Sequence, residues 1–130
     1  MIDPVFPPIE AIIDLHDELL VEHGGAGALR DRGALEASLA RPLQIMSYAD
    51  GHVTIFDLAA AICASIIRNH PFVDGNKRAG FCALGLTLGL NGLYLDASER
   101  EATTMTMALA AREMTEEAFR DWVTDHSYPF

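Results

Sequence analysis

An all-α fold, a compact bundle of about six helices with a small β-hairpin flap, follows from three features of the sequence. Apolar residues recur at helical spacing along most of the 130-residue chain. Glycines, prolines and capping strings cut that pattern into six pieces. A hairpin signal occurs in one short stretch only, around Asp50-Gly51. No repeat, low-complexity tract or interdomain linker interrupts the chain, so residues 1–130 read as a single domain.

The first helix carries Ile9, Ile12, Ile13, His16, Leu19 and Leu20 on one side, with Glu10, Asp14 and Asp17 opposite, and Gly24-Gly25 stops it. Asp31 caps a second, short helix holding Leu35 and Leu39, which Pro42 is expected to end. Ile45, Tyr48, Val53 and Ile55 then flank the Asp50-Gly51 turn and form the flap. A third helix runs from about Thr54 to Asn69, with Ile55, Leu58, Ala59, Ile62 and Ile66 as its stripe, and Pro71 disfavours helical geometry at His70. A fourth, from about Asn76 to Asn91, is apolar nearly all round and belongs at the centre of the bundle; Gly92 closes it. Ser98 to Glu101, "SERE", is a capping box for a fifth helix, and Thr115 caps a sixth that turns Phe119, Trp122 and Val123 inward.

Half the residues are apolar, enough for one core without disulfides or a structural metal. A net charge of −10 argues against a broad nucleic-acid face, which must neutralise phosphates. The opening "MIDPVFPPIE" has no basic segment ahead of an apolar run and does not read as a signal peptide. The longest uncharged stretch, Ala79–Leu95, is interrupted by glycines, Thr87 and Asn91, and suits a buried helix better than a membrane span. Cys63 and Cys82 lack metal or redox spacing and read as small core residues, so a reducing cytoplasm fits best. His16, His23, His52 and His126 form no zinc pattern; His16 reads as a satisfied core or half-buried histidine. Met105, Met107 and Met114 read as helix packing, and Arg30, Asp31, Glu36 and Arg41 as structural ion pairs without a catalytic role.

The polar cluster lies between the third and fourth helices, in "NHPFVDGNKRAG", Asn69 to Gly80, which contains the chain's single lysine. The free N–H groups of a helix N-terminus form an anion site, and Gly75 lets the backbone approach a phosphate. Lys77 and Arg78 oppose the helix dipole there unless an anion binds between them. Asp74 suits Mg²⁺ shared with substrate phosphates. Asn76 either donates to a phosphate oxygen or caps the helix. His70 is the natural general base, since histidine as a residue type exchanges protons near neutrality, and Pro71 and Phe72 point inward and fix the loop. The competing reading is an ordinary Asp-Gly-Asn turn carrying a surface ion pair.

His70-Pro71-Phe72-x-Asp74-Gly75-Asn76-Lys77-Arg78 closely resembles the signature loop of the Fic/Doc family, whose common form is HPFx(D/E)GNGRxxR. Lysine after the asparagine resembles the death-on-curing (Doc) toxin branch. So do Leu15-His16-Asp17, His23-Gly24-Gly25, Arg30-Asp31-x-Gly33-x-Leu35-Glu36 and Arg41-Pro42. The resemblance implies a Fic/Doc-like helical bundle that transfers part of a nucleotide to a protein hydroxyl. His70 would take the hydroxyl proton, Asp74 would hold Mg²⁺, and Gly75, Asn76, Lys77 and Arg78 would bind the phosphates of ATP.

Two departures from the common form carry weight. Lys77 replaces a glycine that leaves room for a phosphate, and Phe81 stands where a second arginine clamps the nucleotide. In the Doc branch these changes accompany a reversed pose that presents the γ-phosphate. The resemblance thus implies a kinase-like toxin of a bacterial type II toxin–antitoxin module, inhibiting translation through a Ser/Thr hydroxyl of a target, with elongation factor Tu as the branch's target. Pro71 and Gly75 follow the common form instead, which keeps AMP transfer as the alternative. A non-catalytic phosphate- or partner-binding module is a third reading.

Ile45, Met46, Ser47, Tyr48 and Val53 would dock the target segment by strand addition, as family flaps do, or form an ordinary surface hairpin. The inhibitory pattern [ST]xxxE[GN] of many Fic proteins does not occur in these residues, so the resemblance implies silencing by a small antitoxin. A cytoplasmic bacterial protein without nucleic-acid or membrane partners is expected.

Overall fold

The computed structural model describes residues 3–24, 28–48 and 52–130; Gly25 of the expected helix stop and Asp50-Gly51 of the expected turn lie outside them. Among the described residues the order is α1 (Ile9–His23), α2 (Arg32–Tyr48), α3 (Ile55–Asn69), α4 (Asn76–Leu90), β1 (Leu93–Leu95), α5 (Glu99–Ala110), α6 (Glu116–His126) and β2 (Ser127–Pro129). The six helices bear out the all-α expectation. Among the described residues no helix is long and apolar enough to cross a membrane.

Local chemistry starts and stops these helices. Gly24, at φ 75°, ends α1, and its N–H donates to the Leu20 carbonyl at 2.9 Å. The Asp31 carboxylate accepts from the Ala34 N–H at 3.0 Å at the start of α2. Thr54 and Asp57 form a capping box on α3, Ser98 and Glu101 form the expected one on α5, and Thr115 caps α6.

The buried centre is α3, not α4. Every residue of α3 from Leu58 to Ile67 is buried. Its alanines and Cys63 let neighbours approach on every side. One face packs Ala60, Cys63, Ala64 and Ile67 on Leu84, Leu88, Leu109, Phe119 and Val123. The other packs Ile62 and Ile66 on Ile12, Leu35, Phe72, Ala79 and Ala83. Burying each of these large side chains contributes about 1.5–3 kcal/mol. Gly80 allows the closest approach of α4: a Cβ there would lie 3.0 Å from the Cys63 carbonyl oxygen and 3.2 Å from Ile67 Cγ1. The opposite side of α4 carries the exposed Lys77, Arg78 and Gly85.

Helix α2 corrects two expectations. It is not short, and Pro42 does not end it, because the helix continues through Pro42 to Tyr48. A mid-helix proline costs about 3 kcal/mol through its missing N–H and ring clash. Here Pro42 is buried, and Arg41 beside it anchors the turn to Ser65 Oγ at 3.2 Å and Glu116 Oε2 at 2.8 Å. Tertiary packing outweighs the local preference. Ile45, Met46, Ser47 and Tyr48, expected as a hairpin arm, therefore form the last turns of α2. The sheet lies elsewhere: β1 pairs antiparallel with β2 in the register Leu93↔Pro129, Tyr94↔Tyr128, Leu95↔Ser127.

Candidate functional site

Helix α3 ends as Pro71 requires. His70 takes the left-handed conformation (φ 47°, ψ 57°), and its N–H donates to the Ile66 carbonyl at 3.2 Å. That conformation is uncommon outside glycine and persists only where the surroundings hold it. Arg30 does so: its Nε donates to the His70 carbonyl at 3.0 Å, and its Nη2 reaches the same oxygen. The cation also complements the C-terminal end of the α3 dipole.

The next residues are paired as if in a short sheet. The Arg30 and Asp31 N–H groups donate to the Pro71 carbonyl at 2.8 and 3.0 Å, and the Val73 N–H donates to Ala28 at 3.1 Å. Leu29 thus forms an antiparallel bridge with Phe72, whose own N–H and C=O face the other way. Asn76 receives both: its Oδ1 accepts from the Phe72 N–H at 3.0 Å, and its Nδ2 donates to the Phe72 carbonyl at 2.9 Å. The same Nδ2 lies 3.4 Å from His70 Nδ1. One buried amide completes the backbone pairing of the loop and orients the ring of the candidate base.

Beneath the loop, Phe72 stacks on His16 with ring centroids 3.8 Å apart and planes at 10°. His16 Nε2 lies 2.7 Å from the Asp74 carbonyl oxygen. Gly75 follows in the left-handed region at φ 77°, and a Cβ there would stand 3.4 Å from His16 Nε2. Its N–H donates to Asp74 Oδ1 at 2.8 Å.

The outward side of the loop carries the polar and charged side chains. His70, Asp74, Lys77 and Arg78 are exposed and line a groove of about 820 Å³. Phe81 and Cys82 of α4 and Thr103, Thr106 and Met107 of α5 form other parts of its wall. The volume lies within the range of small-molecule sites. Gly75 offers α4 no side-chain cap, so the first N–H groups of that helix are left for an anion. Among the described residues Lys77 and Arg78 have no ionic partner, which leaves two cations on the same rim. No group of three or more candidate metal ligands occurs among the described residues. A single carboxylate, Asp74, suits Mg²⁺ that arrives with phosphates and water, not a standing all-protein metal site.

His70, Asp74, Gly75, Asn76, Lys77 and Arg78 are thus brought together, with Pro71 and Phe72 buried beneath them as expected. Asn76 differs from the reading as a phosphate donor, because its amide is committed within the loop. The flap residues are not part of this groove: Ile45 and Val53 line a separate pocket of about 340 Å³ with Arg41, His52, Asp57 and Glu116. Cys82, expected as a small core residue, and Met107, expected as helix packing, line the groove wall instead. Burial pushes the thiols of both cysteines above their ordinary range, so neither is a nucleophile at neutral pH. His16 and Arg30 were assigned no part in the loop, yet both hold its backbone. The strings containing them, Leu15-His16-Asp17 and Arg30-Asp31, already shared the family resemblance.

Toxin Doc of Mycolicibacterium smegmatis is 40% identical over 77 residues, 59% of this chain and 59% of that toxin. BepC of Bartonella tribocorum, a VirB-translocated effector solved with bound AMPPNP, has a similar fold, with a TM-score of 0.50 at 16% identity over 83% of this chain and 55% of BepC. The matched regions are therefore less than two thirds of either relative's length. Residues 6–88 match the sequence profile of the Fic/DOC family. The matched span runs from the segment before α1 almost to the end of α4 and includes the loop with both of its backbone clamps; the chain belongs to the Fic/DOC family.

Proposed function

We propose that this chain is a Doc-like toxin that transfers the γ-phosphate of ATP to a Ser/Thr hydroxyl of a target protein and thereby inhibits translation. The observation that carries this reading is the pair Lys77 and Phe81 on the groove wall, at positions where the common family loop has glycine and arginine. A lysine fills the niche that a backbone-bound phosphate would use, and a phenylalanine removes one phosphate clamp. Both changes disfavour the pose that leads to AMP transfer. The likeness to a Doc toxin supports the same branch.

Transfer to a hydroxyl needs positioning and charge neutralisation more than covalent chemistry. Arg78, Lys77 and the N-terminal amides of α4 bind phosphate oxygens. Asp74 would hold Mg²⁺, which when bound neutralises phosphate charge. His70 accepts the proton of the attacking hydroxyl. The lone pair at Nε2 that accepts this proton belongs to the neutral tautomer whose hydrogen is on Nδ1; in the other tautomer Nδ1 accepts from Asn76 Nδ2 and Nε2 carries the hydrogen. The target, elongation factor Tu by resemblance, and a small antitoxin complete the expected partners in a bacterial cytoplasm.

AMP transfer is the second reading, favoured by Pro71 and Gly75, which follow the common family form. Incubation with target protein and ATP labelled at the α- or γ-phosphate separates the readings. γ-Label on the target supports the kinase reading and α-label supports AMP transfer. Neither label, with nucleotide still bound, leaves a binding module.

A further inference from the structure

We propose that His16 is a positioning residue that fixes the polarity of the Asp74–Gly75 peptide and thereby aims the Asp74 carboxylate into the groove. The effect on catalysis rests on the transfer reading above; the effect on the peptide does not. His16 is 1% exposed, sits on α1 and does not line the groove. Its Nε2 lies 2.7 Å from the Asp74 carbonyl oxygen. A carbonyl only accepts, so this nitrogen carries the proton and donates it.

A trans peptide points its C=O and N–H in opposite directions. Holding the Asp74 oxygen inward therefore turns the Gly75 N–H outward, where Asp74 Oδ1 accepts it at 2.8 Å. One hydrogen bond from below thus determines where the carboxylate above is tethered. With the peptide reversed, a carbonyl dipole would face the phosphates in place of an N–H, and the carboxylate would lose its tether.

Two further contacts keep the ring at this task. Phe72 stacks on it at 3.8 Å, and Gly75 leaves room for Nε2, since a Cβ would stand 3.4 Å away. The remaining nitrogen, Nδ1, is buried and has no hydrogen-bond partner among the described residues. Packing alone does not account for a histidine here, because an apolar ring would fill the same space and leave no orphaned nitrogen. The donor at Nε2 is what distinguishes histidine from such a ring.

The test compares His16→Phe with His16→Gln. Phenylalanine keeps the ring and its stacking but has no N–H. Glutamine loses the stacking but presents an amide N–H at about the reach of Nε2. In ligand-free protein, ¹⁵N spectra should show the Nε2–H tautomer of His16. The Gly75 amide signal should move in His16→Phe and stay near its wild-type position in His16→Gln.

With Mg²⁺ and ATP, the Phe variant should lose about tenfold to a hundredfold in kcat/KM while melting no lower than wild type, and the Gln variant should recover most of that loss. A packing role predicts the reverse order, with Phe the more active. An Nδ1–H tautomer, an unmoved Gly75 amide in the Phe variant, or activity of Phe equal to or above Gln would overturn the proposal. If wild-type protein transfers neither label, the transfer reading fails, and the spectra alone decide the role of His16.

Discussion

Replacing Asn76 by alanine removes the partner of two backbone groups at once. The Asn76 side chain accepts from the Phe72 N–H at 3.0 Å and donates to the Phe72 carbonyl at 2.9 Å, in a position 8% exposed. The bridge to Leu29 cannot substitute, since its bonds run through Pro71 and Val73 on the other side of the strand. An orphaned buried group costs about 1–3 kcal/mol, so two cost about 2–6 kcal/mol. The groove lies close enough for water to satisfy one of them in part, which lowers the expectation to about 2–4 kcal/mol. For a domain of this size that is a fall in Tm of about 6–18 °C. Asn76→Asp should fare no better, because its carboxylate faces the Phe72 carbonyl where an N–H is needed. Urea denaturation followed by circular dichroism gives the free energy directly. A loss below about 1 kcal/mol in the alanine variant would refute the assignment of Asn76 as the loop's internal brace.

Other outcomes follow from the same contacts. Gly85→Ala, with no atom of the described residues within 4 Å of the new Cβ, should stabilise α4 by about 0.5–1 kcal/mol, whereas Gly80→Ala, whose Cβ meets the Cys63 carbonyl at 3.0 Å, should destabilise it by about 1–3 kcal/mol in thermal melts. Burial raises the pKa of Asp57, but its hydrogen bonds from Arg120 and Thr54 outweigh this and hold the carboxyl below its ordinary 3.8. Because the folded pKa is lowered, this contribution is present above the unfolded pKa and is lost as pH falls through the folded one. The stability gap between wild type and Asp57→Asn should therefore close below about pH 4 in urea titrations; a constant gap would count against the pair. His70→Ala should lower transfer by about a hundredfold or more while the melting temperature moves by only a few degrees, and undiminished transfer removes His70 as base. Lys77→Gly combined with Phe81→Arg should move label incorporation from the γ- towards the α-phosphate, and an unchanged ratio would undercut the pose argument.

What the sequence revealed and concealed divides by the range of the interaction. The caps at Asp31, Ser98 and Thr115 were legible because donor and acceptor lie within three residues. The loop was legible for a similar reason: Pro71 and Gly75 constrain their own backbone. His16 and Arg30 were not, since their partners in the loop lie 58 and 40 residues away. Nor was the pairing of Leu93–Leu95 with Ser127–Pro129, three-residue strands too short to carry a pattern. Pro42 misled because the contacts that anchor its turn of α2, from Arg41 to Ser65 and Glu116, reach two other helices. The centrality of α3 was hidden by its alanines, whose small side chains weaken an apolar stripe while permitting burial all round.

The candidate site divides into groups that hold the loop and groups that face the groove. Pro71, Phe72 and Asn76 are buried; their hydrogen bonds run to Arg30, Asp31 and each other, and Phe72 stacks on His16. His70, Asp74, Lys77 and Arg78 are exposed, and three of these side chains have no role in that framework beyond the single contact of His70 with Asn76. Asp74 is the exception, tied through its own peptide to His16. A framework fixed by buried contacts needs little reorganisation when charge develops at the groove, which is the condition for electrostatic stabilisation of a transferring phosphoryl group. On the proposed reading, the same division would let one loop serve more than one chemistry. Changing an outward residue such as Lys77 would alter which phosphate is accommodated and leave the framework standing, whereas changing an inward one would remove the surface on which any phosphate is read.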